Sequence, residues 1–297
     1  MDDNTAGQML RRQVRRFYRC LLYRTSRELK KNDLRRSAVV FSPHFDDETL
    51  GCGGTIIRKK RAGAKVTIVF LTDGSKSHKD FMPENELMRV RAGEGIAAAQ
   101  ALGLDARDVT MLGFEETKLM AHIGPAANQV LELLEKQQPL DIFVPYHHDP
   151  QHDHMATNRV VNTALLKYYR QATVYEYPIW YWRQWPWVQA QRERRRRALK
   201  KGVLSGLQFF GDFRSRVHIA DHLAGKRAAL ERHRSQMTRL NSSPHWPTLG
   251  DVSNGEFLEC FFQDYELFSK RLFFPDRRAS PVQVASAHRL EGAVRSC

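Results

Sequence analysis

The sequence predicts an α/β protein: a Rossmann-like, mostly parallel sheet with helices on both faces. A basic N-terminal helix and a C-terminal helical, aromatic-rich extension flank it. Three observations predict this. Apolar runs of four to six residues recur from residue 38 onward, separated by longer stretches of helical composition, the rhythm of βαβ units. A glycine-rich turn, Gly51-Cys52-Gly53-Gly54, follows the first run closely, as where a strand hands over to a helix in a doubly wound sheet. Two of the runs end in turns crowded with histidine and aspartate, and open α/β sheets carry their sites at strand carboxyl ends.

The elements follow in order. Residues 1–35 read as a basic amphipathic arm, with Leu10, Val14, Phe17, Leu21 and Leu29 near one helical face and Arg11, Arg12, Arg15, Arg16 and Arg19 around it. Such a helix either packs its apolar stripe on its own domain or lies on an anionic membrane surface. The main domain is read as residues 36–275. Ala38–Phe41 is its first strand and Val66–Leu71 its second. Glu84–Leu102 is a helix whose alanines allow close packing. Val109–Leu112 is a strand, Ala126–Gln137 a helix, and Asp141–Tyr146 a strand. His154–Tyr169 is a helix and Ala172–Tyr177 a strand.

After Pro178 the composition changes. Residues 178–210 read as an aromatic and basic insertion or lid, with tryptophans at 180, 182, 185 and 187 and arginines at 194–197. Aromatics beside arginines suit stacking on sugars or bases, or a membrane interface; the alternative is that the tryptophans fill core. Lys226–Leu240 reads as one helix and Gly255–Phe268 as an aromatic-rich closing segment. Residues 276–297 read as a flexible tail.

Composition narrows the class. The net charge of +14 is local: residues 10–36 carry +9 and residues 183–201 carry +7, so the remainder nets −2. No apolar run approaches the roughly 18 residues of a membrane span. The four cysteines, at 20, 52, 260 and 297, show no paired or C-x-x-C spacing. This favours a reducing, cytoplasmic setting over a disulfide scaffold or a cysteine zinc site.

The chemistry concentrates in Ser42-Pro43-His44-Phe45-Asp46-Asp47-Glu48. His44 and Asp47 can face one metal ion, since imidazole nitrogen and carboxylate oxygen both suit zinc. Asp46 then lies beside the ion as a general base acting on water. The simpler alternative is an Asx-rich turn capping a helix. A second cluster, His147-His148-Asp149-Pro150-Gln151-His152-Asp153-His154, follows the Ile142–Val144 strand on the same sheet edge. One imidazole from it completes a His-Asp-His set with a coordination position left open, the arrangement of a catalytic zinc.

Together these residues resemble the PIG-L/LmbE-type zinc-dependent N-deacetylases, over roughly residues 36–270. His44-Phe45-Asp46-Asp47-Glu48 and its glycine-rich sequel match the first signature, and Asp149 through Asp153-His154 the second. Arg91-x-x-Glu94 resembles the intervening helix and His233-x-Ser235-Gln236 a late motif. The resemblance implies His44, Asp47 and His154 as ligands of Zn2+ (Fe2+ or another divalent ion being the alternative), Asp46 as base, and Arg91 and Glu116 as sugar contacts. The chain departs from the pattern twice. Phe45 stands where proline is usual. The second motif has Gln151-His152-Asp153-His154 where His-x-Asp-His is common, the first histidine steadying the oxyanion and the aspartate orienting it. That duty falls to Gln151, His152 or His148, with Asp153 as the orienting group.

The activity expected is removal of the N-acetyl group from an N-acetylglucosamine-type conjugate. A lipid-linked or anionic glycan is the substrate that the basic segments suit, met at an anionic membrane face. Two other readings stand beside it: an amidase for a bulkier acyl group or a thiol-sugar conjugate, and a non-catalytic binder of glycan or nucleic acid. A binder has no need of aligned ligands at two strand ends, so nucleic acid is the disfavoured partner.

Overall fold

A computed structural model describes residues 3–184, 186–188, 208–241 and 243–275. Among them, eight strands form one sheet: β1 (Arg27–Glu28), β2 (Ala38–Ser42), β3 (Val66–Thr72), β4 (Val109–Phe114), β5 (Asp141–Pro145), β6 (Ala172–Tyr177), β7 (Ser215–His218) and β8 (Tyr265–Phe273). Their spatial order is β1-β7-β8-β6-β5-β2-β3-β4. From β6 to β4 every neighbouring pair is parallel, whereas β8 runs antiparallel to both β6 and β7. The α/β class read from the sequence is the fold observed.

β2, β3, β5 and β6 are buried along their whole length, as βαβ crossovers require, and the edge strand β4 is only half-buried. Within them the two faces still alternate. Val40 and Ile68 pack with Leu50, Ile56 and Ala99, from helices α3 (Asp47–Arg61) and α4 (Glu84–Ala101). Val39, Phe41 and Val69 pack with Val130 and Val160, from α5 (Ile123–Gln137) and α6 (His152–Leu165). Successive strands are added in opposite directions on either side of β2 and β5, which are parallel, hydrogen-bonded neighbours. That seam is the switch point at which open sheets form a crevice.

Close approach explains two glycines. A Cβ on Gly51 would come within 2.3 Å of the Tyr177 ring, so only glycine lets α3 lie this near β6. A Cβ on Gly95 would come within 2.6 Å of Phe45. Phe45 fills that space and packs on Phe70 at 4.5 Å between ring centroids. Phe45, one of the two departures noted in the sequence, is therefore a core side chain seated in a glycine hole.

Three readings are corrected. Lys226–Leu240 is two short helices, Leu223–Leu230 and Arg234–Met237, broken at His233, whose imidazole is held by Glu48 at 3.1 Å. Here tertiary contacts override local helical composition. The closing segment contains β8, a strand the aromatic-rich text did not reveal. The arm is a helix, α1 (Asp3–Thr25), but the apolar stripe is not its buried face. Leu10 and Phe17 are 66% and 63% exposed, while Arg11 and Leu22 are buried. Two acids select that face: Arg11 pairs with Glu256, and Arg15 pairs with Glu259 and donates to the Trp187 carbonyl. Leu29, counted in the stripe, lies beyond the helix end. Arg194–Arg197 and the 276–297 tail lie outside the described residues. Of the 178–188 stretch, Ile179, Tyr181, Trp182, Trp187 and Val188 are core.

Candidate metal centre

Both histidine-bearing turns open at the seam between β2 and β5. The first is bent sharply at Asp46, a non-glycine residue held at φ 154°, ψ −26°. Such a conformation is costly and persists only where neighbours over-determine it. Glu48 does so from within the buried turn. Its Oε2 accepts from the Asp46 N–H at 3.1 Å, and its Oε1 accepts from the Thr49 hydroxyl and meets His233 Nε2. Ser42 completes the brace, donating to the His44 carbonyl and accepting from the Glu48 N–H.

This bend brings three donors together. Ligand atoms of His44, Asp47 and His154 all lie within 4.8 Å of one another, and all three residues are buried. Asp47 Oδ2 is 3.1 Å from His44 Nδ1 and 3.2 Å from His154 Nε2. Yet His154 Nε2 makes no hydrogen bond to it. Proximity without hydrogen-bond geometry is what donors aimed at a common third point produce. The opposite ring nitrogens face carboxylates: Asp153 Oδ2 lies 3.3 Å from His44 Nε2, and Asp149 Oδ1 lies 3.5 Å from His154 Nδ1. Imidazoles backed by carboxylates are the usual support of a metal site. The donor set therefore fits a divalent cation, with imidazole and carboxylate suiting zinc.

The charges are tightly coupled. Burial disfavours a proton on His44, but hydrogen bonds to Asp153 and Asp47 outweigh it and raise its pKa well above the ordinary value. His154 is also raised, burial being overcome by Asp47 and Asp149. Asp47 is lowered: burial works against its charge, and His154 and then His44 prevail. Asp46 behaves oppositely. Burial and the adjacent Asp47 push it up to about 7, with Arg91 only partly opposing. Two neighbouring carboxylates are thus driven apart, the pattern that separates a ligand from an acid–base group.

His44 and Asp47 line a cavity of about 210 Å³, while His154 is fully buried outside its lining. Its polar side carries Asp46, Arg91, Glu116, Gln151, Ser77 and Gln236. Arg91 is 2% exposed and donates to the Phe45 carbonyl at 3.0 Å and to Ser77 Oγ at 3.3 Å. It also lies 3.8 Å from both Asp46 and Glu116. Its apolar side carries Leu50, Ile179, Trp180, Leu249, Val252 and Phe257, with Trp180 stacked on Phe257 at 4.8 Å.

The sequence-derived site residues thus converge, with two exceptions and one reassignment. His152 is exposed and does not line the cavity; His148 is exposed beside His147. Gln151 does line it. Its Oε1 accepts from the His154 N–H at 3.0 Å, capping α6, and its Nε2 lies 3.5 Å from His44 Nε2. Asp153, expected to orient an oxyanion donor, instead backs His44 and accepts from the Thr117 N–H at 2.8 Å. A helix turn explains both: from the Gln151 cap, residues 153 and 154 turn inward and 152 outward. His78, Ser77, Gln236, Trp180 and Phe257 were not read as cavity residues. The Glu94 carboxylate accepts from Ser235 N and Oγ, at 2.8 and 2.6 Å. It thereby joins the two weaker motifs and seats Gln236.

Comparison with known proteins follows the same residues. The chain is 30% identical over 129 residues to the diacetylchitobiose deacetylase of Thermococcus kodakarensis, a match covering 41% of this chain and 47% of that protein. The chain thus spans about half the length of this curated relative. Among solved structures, it resembles the N,N'-diacetylchitobiose deacetylase of Pyrococcus horikoshii, with a TM-score of 0.56 and 18% identity over 91% of this chain and 93% of that one. It also resembles the 4-carboxy-2-hydroxymuconate hydratase of Pseudomonas putida KT2440, with a TM-score of 0.52 and 16% identity over 81% and 97%. Likeness at that identity shows the fold and leaves chemistry to the site. Residues 39–165 match the family model described as PIG-L, GlcNAc-PI de-N-acetylase, and they contain the whole donor set.

Proposed function

We propose that this protein is a metal-dependent N-deacetylase, hydrolysing the acetamide of an N-acetylated amino sugar to acetate and a free amine. The observation that carries this reading is a buried His-Asp-His donor set with a second carboxylate, Asp46, in the same cavity but outside the set. The likeness to a diacetylchitobiose deacetylase supports the sugar acetamide over other amides. His44, Asp47 and His154 would hold a divalent ion, zinc first by ligand type and iron(II) second, which would supply Lewis acidity when bound.

The chain's own residues do the rest. Asp46 takes the water's proton and passes it to the departing amine, work that a group held near pH 7 suits. Gln151, its oxygen committed to the His154 N–H, presents its amide nitrogen as the donor for the developing oxyanion. Arg91, Glu116, Ser77 and Gln236 offer donors and acceptors to sugar hydroxyls. The Trp180–Phe257 wall favours an apolar substituent on the sugar, as in a lipid-linked or aryl conjugate. The compartment proposed is the cytoplasm, which the cysteine spacing supports.

Metal analysis paired with a screen of N-acetylated amino-sugar conjugates for free-amine release tests the reading. Asp46→Asn should retain the metal while turnover falls by about 10²- to 10⁴-fold, the usual worth of a positioned base. Undiminished acetate release by that variant would remove Asp46 from the mechanism. A parent protein that binds no divalent ion would remove the whole proposal.

A further inference from the structure

We propose that the outward face of α1 is a docking surface for an anionic lipid bilayer. The helix sorts its own side chains. Arg11 and Arg15 turn inward to Glu256 and Glu259, and Leu22 is buried between the helix and the body. Tyr18 packs beside them on Phe210 and Trp187, and Tyr23 on Tyr265, so the helix is fixed without its outermost apolar residues. Met9, Leu10 and Phe17 are left 64%, 66% and 63% exposed. At 100° per residue they share the solvent half of the helix with Arg12, Arg16 and Arg24. These three arginines are exposed and make no ion pair among the described residues.

Unpaired cations interleaved with exposed large apolar groups are the composition of an interfacial helix. A solvated surface helix has no use for the apolar groups, and a protein-docked one would have buried them. No helix among the described residues is long and apolar enough to cross a membrane, so the contact is peripheral.

A second feature lies on the flank of the same face. Arg19 and Arg227 line a cleft of about 380 Å³ with Leu258, Glu259 and Phe262. Glu259 there is paired with Arg15, and the Arg227 guanidinium lies 4.1 Å over the Phe262 ring. Arg19 Nε is shielded from solvent with no hydrogen-bond partner. Two guanidinium groups with spare donors match a lipid phosphate. The short helix Glu256–Glu259 that anchors α1 also carries Phe257 into the cavity wall, so docking surface and cavity share one element.

Flotation of the purified full chain tests this, using vesicles of phosphatidylcholine alone and with phosphatidylglycerol. Binding is expected on the anionic vesicles only, weakening as salt rises. Arg12→Gln with Arg16→Gln should lower partitioning roughly thirty-fold, at about five-fold per arginine. Leu10→Glu with Phe17→Glu should abolish it. All four side chains face solvent, so unchanged thermal unfolding verifies that these variants fold. Failure of the parent to float at low salt would overturn the proposal. So would flotation unchanged in both double variants, or salt-sensitive binding to RNA without binding to vesicles.

Discussion

The chemistry rests on a few side chains whose states are set by their neighbours. Asp153 illustrates this, since it touches His44 from behind and has no part in the donor set. Replacing it with asparagine keeps the shape but removes the charge that orients the ring. Asp153→Asn should weaken zinc affinity by about 10- to 100-fold, measured by chelator competition; an unchanged affinity would show that the contact with His44 is incidental. His44, Asp46 and Asp47 were legible in the sequence because they lie in one contiguous turn whose spacing has a chemical meaning. His154 was legible as one of several imidazoles, and only the resemblance singled it out. The brace between Glu48 and His233 was not legible, because the two stand 185 residues apart. The place of His78 and Gln236 in the cavity was not legible for the same reason, since they meet at 3.4 Å across 158 residues.

Among the elements, β8 ties the C-terminal extension to the parallel core. Glu266, buried on this strand, accepts from the Gly54 and Thr55 N–H groups, the Thr55 hydroxyl and Lys226 Nζ. Glu266→Ala leaves Lys226 buried without its counter-charge and should cost about 3–5 kcal/mol. Denaturant unfolding followed by far-UV circular dichroism would measure this, and a loss below about 1 kcal/mol would mean that water replaces the carboxylate. The strands of the core were readable because burial on both faces leaves a continuous apolar run. β8 was not, since its sequence Tyr265-Glu266-Leu267-Phe268-Ser269-Lys270-Arg271-Leu272-Phe273 carries a buried carboxylate and an exposed basic end. The face of α1 was misread because apolar periodicity says nothing of two acids 245 and 244 residues away.

At the scale of the whole molecule, the donor set bridges β2 and β5 across the seam of the sheet. A cation there stabilises the folded chain by mass action, about 2.7 kcal/mol at a free concentration one hundred times the dissociation constant. The pH dependence has a definite sign. His44 and His154 are both raised, so acid favours their protonated, non-ligating forms. Stabilisation by the ion is therefore complete above those raised values and lost as pH falls through them. Added zinc should raise the melting temperature more at about pH 8 than at about pH 6; an equal rise at both would show that the ion binds elsewhere.

The ring of Phe45 seated over Gly95 has one more consequence, and it is evolutionary. Neither position can change freely while the other stays as it is, so they behave as one inherited unit. Gly95→Ala alone forces a methyl group into the ring and should destabilise by about 1–3 kcal/mol. Beside Phe45→Pro, which removes the nearer ring, the same alanine should cost less, with only Phe70 still crowding it at 3.2 Å. A thermodynamic cycle over the two sites would read that epistasis directly, and strict additivity would refute it.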